Sequence, residues 1–218
     1  MAKVKICGIT NTEDAKIAID LGADFIGLIV EVPVQTPRKL AVEQAREIID
    51  KISNSVKKVI VIMPSSMTDV RNIVKTLSPD YLQLHGNESP KLISEIKENF
   101  EELKLIKTFH IDNKSTLDPV LDDITLYNEA IDAVLLDTKT DKIGGTGKTH
   151  DWNLSKKIME NIDVPLFLSG GLNPDNVKEA VKTVKPFAVD VASGVESEPG
   201  KKDFEKVKKF IHNAKCST

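Results

Sequence analysis

The sequence predicts a single-domain (β/α)8 TIM barrel over residues 1–218. Three observations carry this. Short apolar runs alternate with longer amphipathic ones from end to end, which is the pattern of strand–helix units. Several of the short runs are almost wholly apolar, as suits parallel strands covered on both faces. The third is a faint repeat. Asp24-Phe25-Ile26-Gly27-Leu28, Asp80-Tyr81-Leu82-Gln83-Leu84, Asp132-Ala133-Val134-Leu135-Leu136 and Pro186-Phe187-Ala188-Val189-Asp190 start at 24, 80, 132 and 186. One such motif for every two units is the trace a closed barrel of similar parts would leave. An open doubly wound sheet is the alternative. It is disfavoured because no Gly-x-Gly-x-x-Gly fingerprint accompanies the eight strands.

The elements follow in order. Strand one is Val4–Cys7, and the Thr12-Glu13-Asp14 start opens a helix over Thr12–Leu21. Strand two, Phe25–Val30, leads to a helix over Ala41–Ile52. Strand three, Lys58–Met63, leads to Met67–Leu77. Strand four, Tyr81–Leu84, leads to Ser89–Asn99, where Ser89-Pro90 marks the start. Strand five, Leu103–Thr108, precedes a short or irregular helix within Asp118–Glu129. Strand six, Ala133–Asp137, is separated from the helix Trp152–Asn161 by a long glycine-rich loop. Strand seven, Val164–Leu168, precedes Pro174–Thr183, with Asn173 as cap and Pro174 in the first turn. Strand eight, Phe187–Val191, precedes Phe204–Asn213, where Phe204, Val207, Phe210 and Ile211 recur at helical spacing.

Composition narrows the class. The 218 residues just accommodate eight units, which need roughly 200. A net charge of −3 gives no case for a nucleic-acid or membrane surface. No apolar run approaches the ~18–20 residues needed to cross a bilayer, and the charged start does not read as a signal peptide. Cys7 and Cys216 do not suggest a disulfide framework, which fits a cytoplasmic protein.

Candidate chemistry collects at strand ends, because a barrel gathers those ends at one rim. Cys7 ends strand one. By itself a cysteine in an apolar strand is a small core residue. Followed by Gly8 and a helix start, its thiol would face the mouth, activated if nearby positive charge lowered its pKa. Asp137 ends strand six, too early to cap the next helix. A substrate between the two would meet a base on one side and an acid on the other. Ser169-Gly170-Gly171 after strand seven and Ser193-Gly194 after strand eight are suited to hold a phosphate through backbone N–H groups. Gly144-Gly145-Thr146-Gly147-Lys148-Thr149 is not a P-loop, since the required glycine five places before Gly147 is Lys142. It reads as a lid over the site. Arg38, one of only three arginines, is a candidate to hold a carboxylate. His85 alone reads as a polar rim residue. The four histidines show no metal-ligand spacing, so no metal and no cofactor is expected.

Together these motifs resemble the phosphoribosylanthranilate isomerase family over nearly the whole chain. The resemblance rests on Lys5-Ile6-Cys7-Gly8-Ile9-Thr10, Gln83-Leu84-His85-Gly86, Leu136-Asp137, Gly144-Gly145-Thr146-Gly147, Asp151-Trp152, Leu168-Ser169-Gly170-Gly171-Leu172, the run from Val189 to Glu196, and Pro199-Gly200-Lys201-Lys202-Asp203. It implies an Amadori rearrangement of a phosphoribosyl substrate in tryptophan biosynthesis. Cys7 would be the general base and Asp137 the general acid. Arg38 would meet the anthranilate, and Ser169, Gly170, Gly171, Ser193 and Gly194 the phosphate. Gln83, His85, Gly145 and Asp190 join the expected substrate-binding set. The chain would act as a monomer or homodimer. Two places depart from the family pattern. Glu31-Val32-Pro33-Val34-Gln35-Thr36-Pro37-Arg38 replaces an aromatic residue followed by Ser-x-Arg. His150 stands where a phenylalanine is common. The competing readings are the related histidine-pathway isomerase, whose strand one ends in aspartate, and a catalytically silent phosphosugar-binding barrel.

Overall fold

Alternate residues of a strand face opposite sides, and in this chain both sides are buried. In the computed structural model, which describes residues 1–53, 55–138 and 149–216, eight parallel strands form the barrel, and a two-residue strand, Lys39–Leu40, pairs in parallel with the end of the second. The barrel strands are β1 Lys3–Cys7, β2 Phe25–Val30, β3 Lys57–Ile62, β4 Tyr81–Leu84, β5 Lys104–Ile111, β6 Ala133–Thr138, β7 Leu166–Leu168 and β8 Ala188–Val191. Each pairs with its sequence neighbours, and β1 pairs with both β2 and β8, so the sheet closes into the expected barrel. The outer ring is α1 Thr12–Asp20, α2 Val42–Ile49, α3 Met67–Leu77, α4 Pro90–Asn99, α5 Leu117–Thr125, α6 Trp152–Glu160, α7 Val177–Val184 and α8 Phe204–Lys215.

The outward side chains, such as Ile26, Ile60, Leu82 and Val134, pack beneath the helices in one continuous core. The inward ones, Phe25, Val59, Ile106, Ala133, Leu135, Phe167 and Ala188, plug the lower barrel. Phe25 and Phe167 meet there edge to face at 5.3 Å. Two residues further up most of the strands, the same inward parity carries polar groups or glycine. Phe25 and Leu135 give way to Gly27 and Asp137, and Phe167 and Ala188 to Ser169 and Asp190. The polar mouth is therefore a direct consequence of strand periodicity above an apolar plug.

Several boundaries differ from the sequence expectation, for local reasons. β7 starts only at Leu166, just after Pro165, which has no N–H to give the ladder. α7 starts at Val177 rather than Pro174. The Asn173 side chain accepts from the backbone N–H of Asp175 and Asn176, at 2.8 and 3.2 Å, and holds 173–176 as a turn. β5 runs on to Ile111, beyond the expected Thr108, because Phe109, His110 and Ile111 pair with Leu136, Asp137 and Thr138. α5 is a regular helix ending at Thr125. After β8 lies an unexpected two-stranded hairpin of Glu196–Glu198 and Lys201–Lys202. Among the described residues no helix is long and apolar enough to cross a membrane.

Candidate active site

At the C-terminal rim the strands surround a cavity of about 240 Å³. Cys7, Arg38, Gln83, His85, Asp137, Ser169, Gly170, Gly171, Asp190, Ser193 and Gly194 all line it. The structure thus brings together every described residue that the sequence pattern or the family resemblance placed at the site. Gly145 and most of the expected lid lie outside the described residues.

Below the cavity sits a charge pair that the sequence pattern does not reveal. Lys5 is two residues before Cys7 and so shares its inward face. The β1–β8 register sets Lys5 beside Asp190, and Lys5 Nζ donates to Asp190 Oδ1 at 2.9 Å and to Gln83 Oε1 at 2.8 Å. Lys5 is fully buried. Burial alone would push its ammonium down, but the facing Asp190 and Cys7 outweigh it and hold its pKa above the ordinary value. Cys7 behaves opposite to expectation. Burial raises its pKa, and Lys5 offsets only part of that rise. The anticipated positive charge is present, but desolvation wins. Gly27 leaves room for the thiol, since a Cβ there would come within 2.7 Å of Cys7 Sγ.

Asp137 is half-buried and accepts from the Thr138 backbone N–H at 2.9 Å. Burial holds its carboxyl above the usual range and Asp190 adds to the shift, while nearby His110, the Thr138 N–H and the Ser169 hydroxyl oppose it. His85 Nε2 stands 3.8 Å from Asp137 Oδ2. Burial pushes the His85 pKa down to about 3, so its ring is neutral at physiological pH. The loop carrying His85 is locked by Lys107, which donates to the Gly86 carbonyl at 2.6 Å and pairs with buried Glu88 at 2.9 Å.

Arg38 leaves the loop after β2 and folds under the cavity wall. Its Nε and one terminal nitrogen donate to the two oxygens of Glu196 at 2.8 and 2.5 Å. That bidentate contact raises its pKa. Gly8, at φ 70°, makes the space. A Cβ there would lie 2.6 Å from Arg38 Cδ. Lys202 of the hairpin reaches the same Glu196 at 2.9 Å, so the unforeseen hairpin is what anchors Arg38.

The two glycine loops touch each other. A Cβ on Gly194 would collide with the Leu172 carbonyl, and one on Gly170 (φ 87°) with Thr138. The end of β6 by itself therefore demands glycine at 170. Thr138 in turn bonds His150 Nδ1 through its hydroxyl at 2.9 Å, and His150 Nε2 meets Ser155 Oγ at 2.6 Å. Burial lowers the His150 pKa to about 4. The histidine that departs from the family pattern is thus a neutral polar strut from Thr138, next to Asp137, to α6.

A buried lysine–carboxylate pair, a thiol and a carboxyl on one cavity, and two glycine loops beside them lie at the strand-end rim where (β/α)8 barrel enzymes carry their sites. Residues 4–213 match the family model described as N-(5'phosphoribosyl)anthranilate (PRA) isomerase. An N-(5'-phosphoribosyl)anthranilate isomerase of Methanopyrus kandleri is 44% identical over 220 residues, covering 99% of each chain. The phosphoribosyl anthranilate isomerase structure from Thermotoga maritima superposes with a TM-score of 0.86 at 40% identity, again over 99% of both chains. A further isomerase structure, in complex with reduced 1-(o-carboxyphenylamino)-1-deoxyribulose 5-phosphate, is 36% identical with a TM-score of 0.83 over 99% of both. The chain belongs to the N-(5'-phosphoribosyl)anthranilate isomerase family, and it is an isomerase.

Proposed function

We propose that this chain converts N-(5'-phosphoribosyl)anthranilate to 1-(2-carboxyphenylamino)-1-deoxyribulose 5-phosphate in tryptophan biosynthesis, with Cys7 as general base and Asp137 as general acid. The observation that carries the reading is that Cys7 and Asp137 line one cavity together with both glycine loops.

Burial favours the protonated form of Asp137, the form an acid needs. That proton goes to the ribose ring oxygen; the C1'–O bond breaks and an imine forms. The Cys7 thiolate then takes the C2' proton, giving an enolamine, which tautomerises to the ketone. No electron leaves the substrate, so no redox partner is needed. Each acid–base step contributes ~10²–10⁴-fold. Lys5 opposes the burial penalty on the thiolate. A guanidinium has five N–H donors, and the two bonds to Glu196 leave Arg38 others for the anthranilate carboxylate. Gly170, Gly171, Ser193 and Gly194 offer backbone to the phosphate, while Gln83, His85 and Asp190 shape the wall around the sugar.

The direct test is loss of anthranilate fluorescence when purified protein meets freshly formed phosphoribosylanthranilate. Turnover of this substrate, with none of the histidine-pathway analogue, is expected. No turnover would overturn the assignment.

A further inference from the structure

We propose that His85, His110 and Asp137 form a site for a divalent transition-metal cation of the zinc class, and that the bound cation inhibits the isomerase. The inhibitory half rests on the reading of Asp137 as acid; the binding half does not.

The three side chains come from the ends of adjacent strands. His110 exists at this place because β5 runs past its expected end and pairs His110 with Asp137. His85 follows β4 on the other side of β5. One ring nitrogen of each histidine and a carboxylate oxygen of Asp137 all lie within 4.8 Å of one another, and His85 Nε2 is 3.8 Å from Asp137 Oδ2. Tetrahedral zinc with bonds of 2.0–2.1 Å sets its ligands about 3.4 Å apart. Closure around an ion therefore asks for about 0.4 to 1.4 Å of side-chain movement. His110 is exposed, so its ring has solvent to move into.

The outer contacts also suit ligation. A metal-bound imidazole usually donates its second N–H to a fixed partner. His85 Nδ1 is 3.2 Å from the Thr108 hydroxyl, and His110 Nε2 is 3.4 Å from the His85 carbonyl. Lys5 holds the Gln83 oxygen, so Gln83 Nε2 donates to His85 Nδ1 at 3.3 Å and the metal-free ring carries its proton on Nε2, the atom beside Asp137. A cation on Nε2 moves that proton to Nδ1, which then donates to Thr108 in place of accepting from Gln83. Two imidazoles and one carboxylate suit Zn²⁺, Co²⁺ or Ni²⁺ and leave a position for water. Mg²⁺ and Ca²⁺ prefer six or more oxygens and do not fit. With a cation on its carboxylate, Asp137 cannot carry the proton that opens the ribose ring.

The test uses chelator-stripped, dialysed protein carrying Cys216→Ser. This change is needed because Cys216 Sγ lies 3.8 Å from His212 Nδ1 and forms a rival soft-metal pair. Co²⁺ is titrated and followed by its visible d–d absorption. Saturation at one equivalent is expected. His110→Ala should weaken binding by at least about tenfold, as losing a ligand costs no less than losing an outer contact. His212→Ala should leave it unchanged. In parallel, turnover is measured with and without Zn²⁺, each variant against itself. Zn²⁺ should slow the parent protein, EDTA should restore it, Mg²⁺ should do nothing, and His110→Ala should be insensitive. No saturable cobalt spectrum, or equal binding in His110→Ala, overturns the site. Cobalt binding with undiminished turnover overturns the inhibition. The spectra need no turnover, so a failure of the isomerase reading leaves the binding result legible.

Discussion

Lys5 Nζ lies 2.9 Å from Asp190 Oδ1, fully buried, two residues before the thiol of Cys7 on the same face of the same strand. The pair sets the field in which Cys7 ionises. Lys5 favours the thiolate and Asp190 opposes it, with Lys5 the stronger of the two.

The first prediction is the pH profile of Lys5→Met. In the proposed mechanism the productive form has thiolate on Cys7 and a proton on Asp137, the group of ordinarily lower pKa. The acidic limb then reports Asp137 and the basic limb Cys7. Removing Lys5 raises the Cys7 pKa, so the basic limb should move to higher pH. The plateau should fall about tenfold for every pH unit the limb moves. Lys5→Met also leaves Asp190 buried and unpaired, at a cost of about 3–5 kcal/mol. The double variant with Asp190→Asn should regain stability and keep the direction of the change. A basic limb that stays in place in both would remove Lys5 from control of the base.

Asp137→Asn keeps the shape and loses the proton. Its turnover should fall ~10²-fold or more. A reduced product analogue should bind nearly as before, because the contacts proposed for its carboxylate and phosphate lie elsewhere on the rim. Calorimetry and turnover together check this; near-normal turnover would exclude Asp137 as the acid.

Cys7 is buried yet lines the cavity, whereas Cys216 is exposed. Iodoacetamide is small enough to enter. It should modify Cys7 in the native state, faster as pH rises, and product should slow that reaction without touching Cys216. Mass spectrometry separates the two sites. Activity should fall in step with Cys7 alone, and Cys7→Ser should lose ~10²-fold or more in turnover. Full activity after Cys7 alkylation would require another base.

Gly170→Ala should destabilise before it affects ligand binding. The left-handed backbone costs a non-glycine residue about 1–2 kcal/mol, and the added Cβ meets Thr138. A lower Tm is expected in the absence of any ligand. An unchanged Tm with weakened phosphate binding would return Gly170 to a purely ligand-facing role.

His150 should make stability acid-sensitive. Its folded pKa, about 4, lies below the ordinary 6.5. The unfolded chain therefore takes up a proton first as pH falls. The contribution is intact above 6.5, is lost between 6.5 and about 4, and levels off below. Its size is on the order of 3 kcal/mol. Urea unfolding at pH 7 and pH 4.5 should show a smaller acid loss in His150→Phe than in the parent. Equal losses would mean that His150 is not the group concerned.

The order of strands and helices was legible because period two and period 3.6 are written in neighbouring residues. Cys7, Asp137 and the two glycine loops were legible for a related reason. A strand's last inward position belongs to the mouth wherever the barrel closes, so residue type at a strand end already carries a location. Other features were beyond the sequence. Lys5 and Asp190 are 185 residues apart, and Arg38 and Glu196 are 158 apart. Only the register of the closing strands and the added hairpin bring them together. His110 reaches Asp137 because β5 outlasts its apolar pattern. The need for glycine at 170 comes from Thr138 on the adjacent strand. The direction in which the Cys7 pKa moves depends on how much water the closed barrel excludes, and desolvation is a property of the assembled fold. Local chemistry determined which residues stand at the rim; closure of the barrel decided which of them are paired, buried and charged.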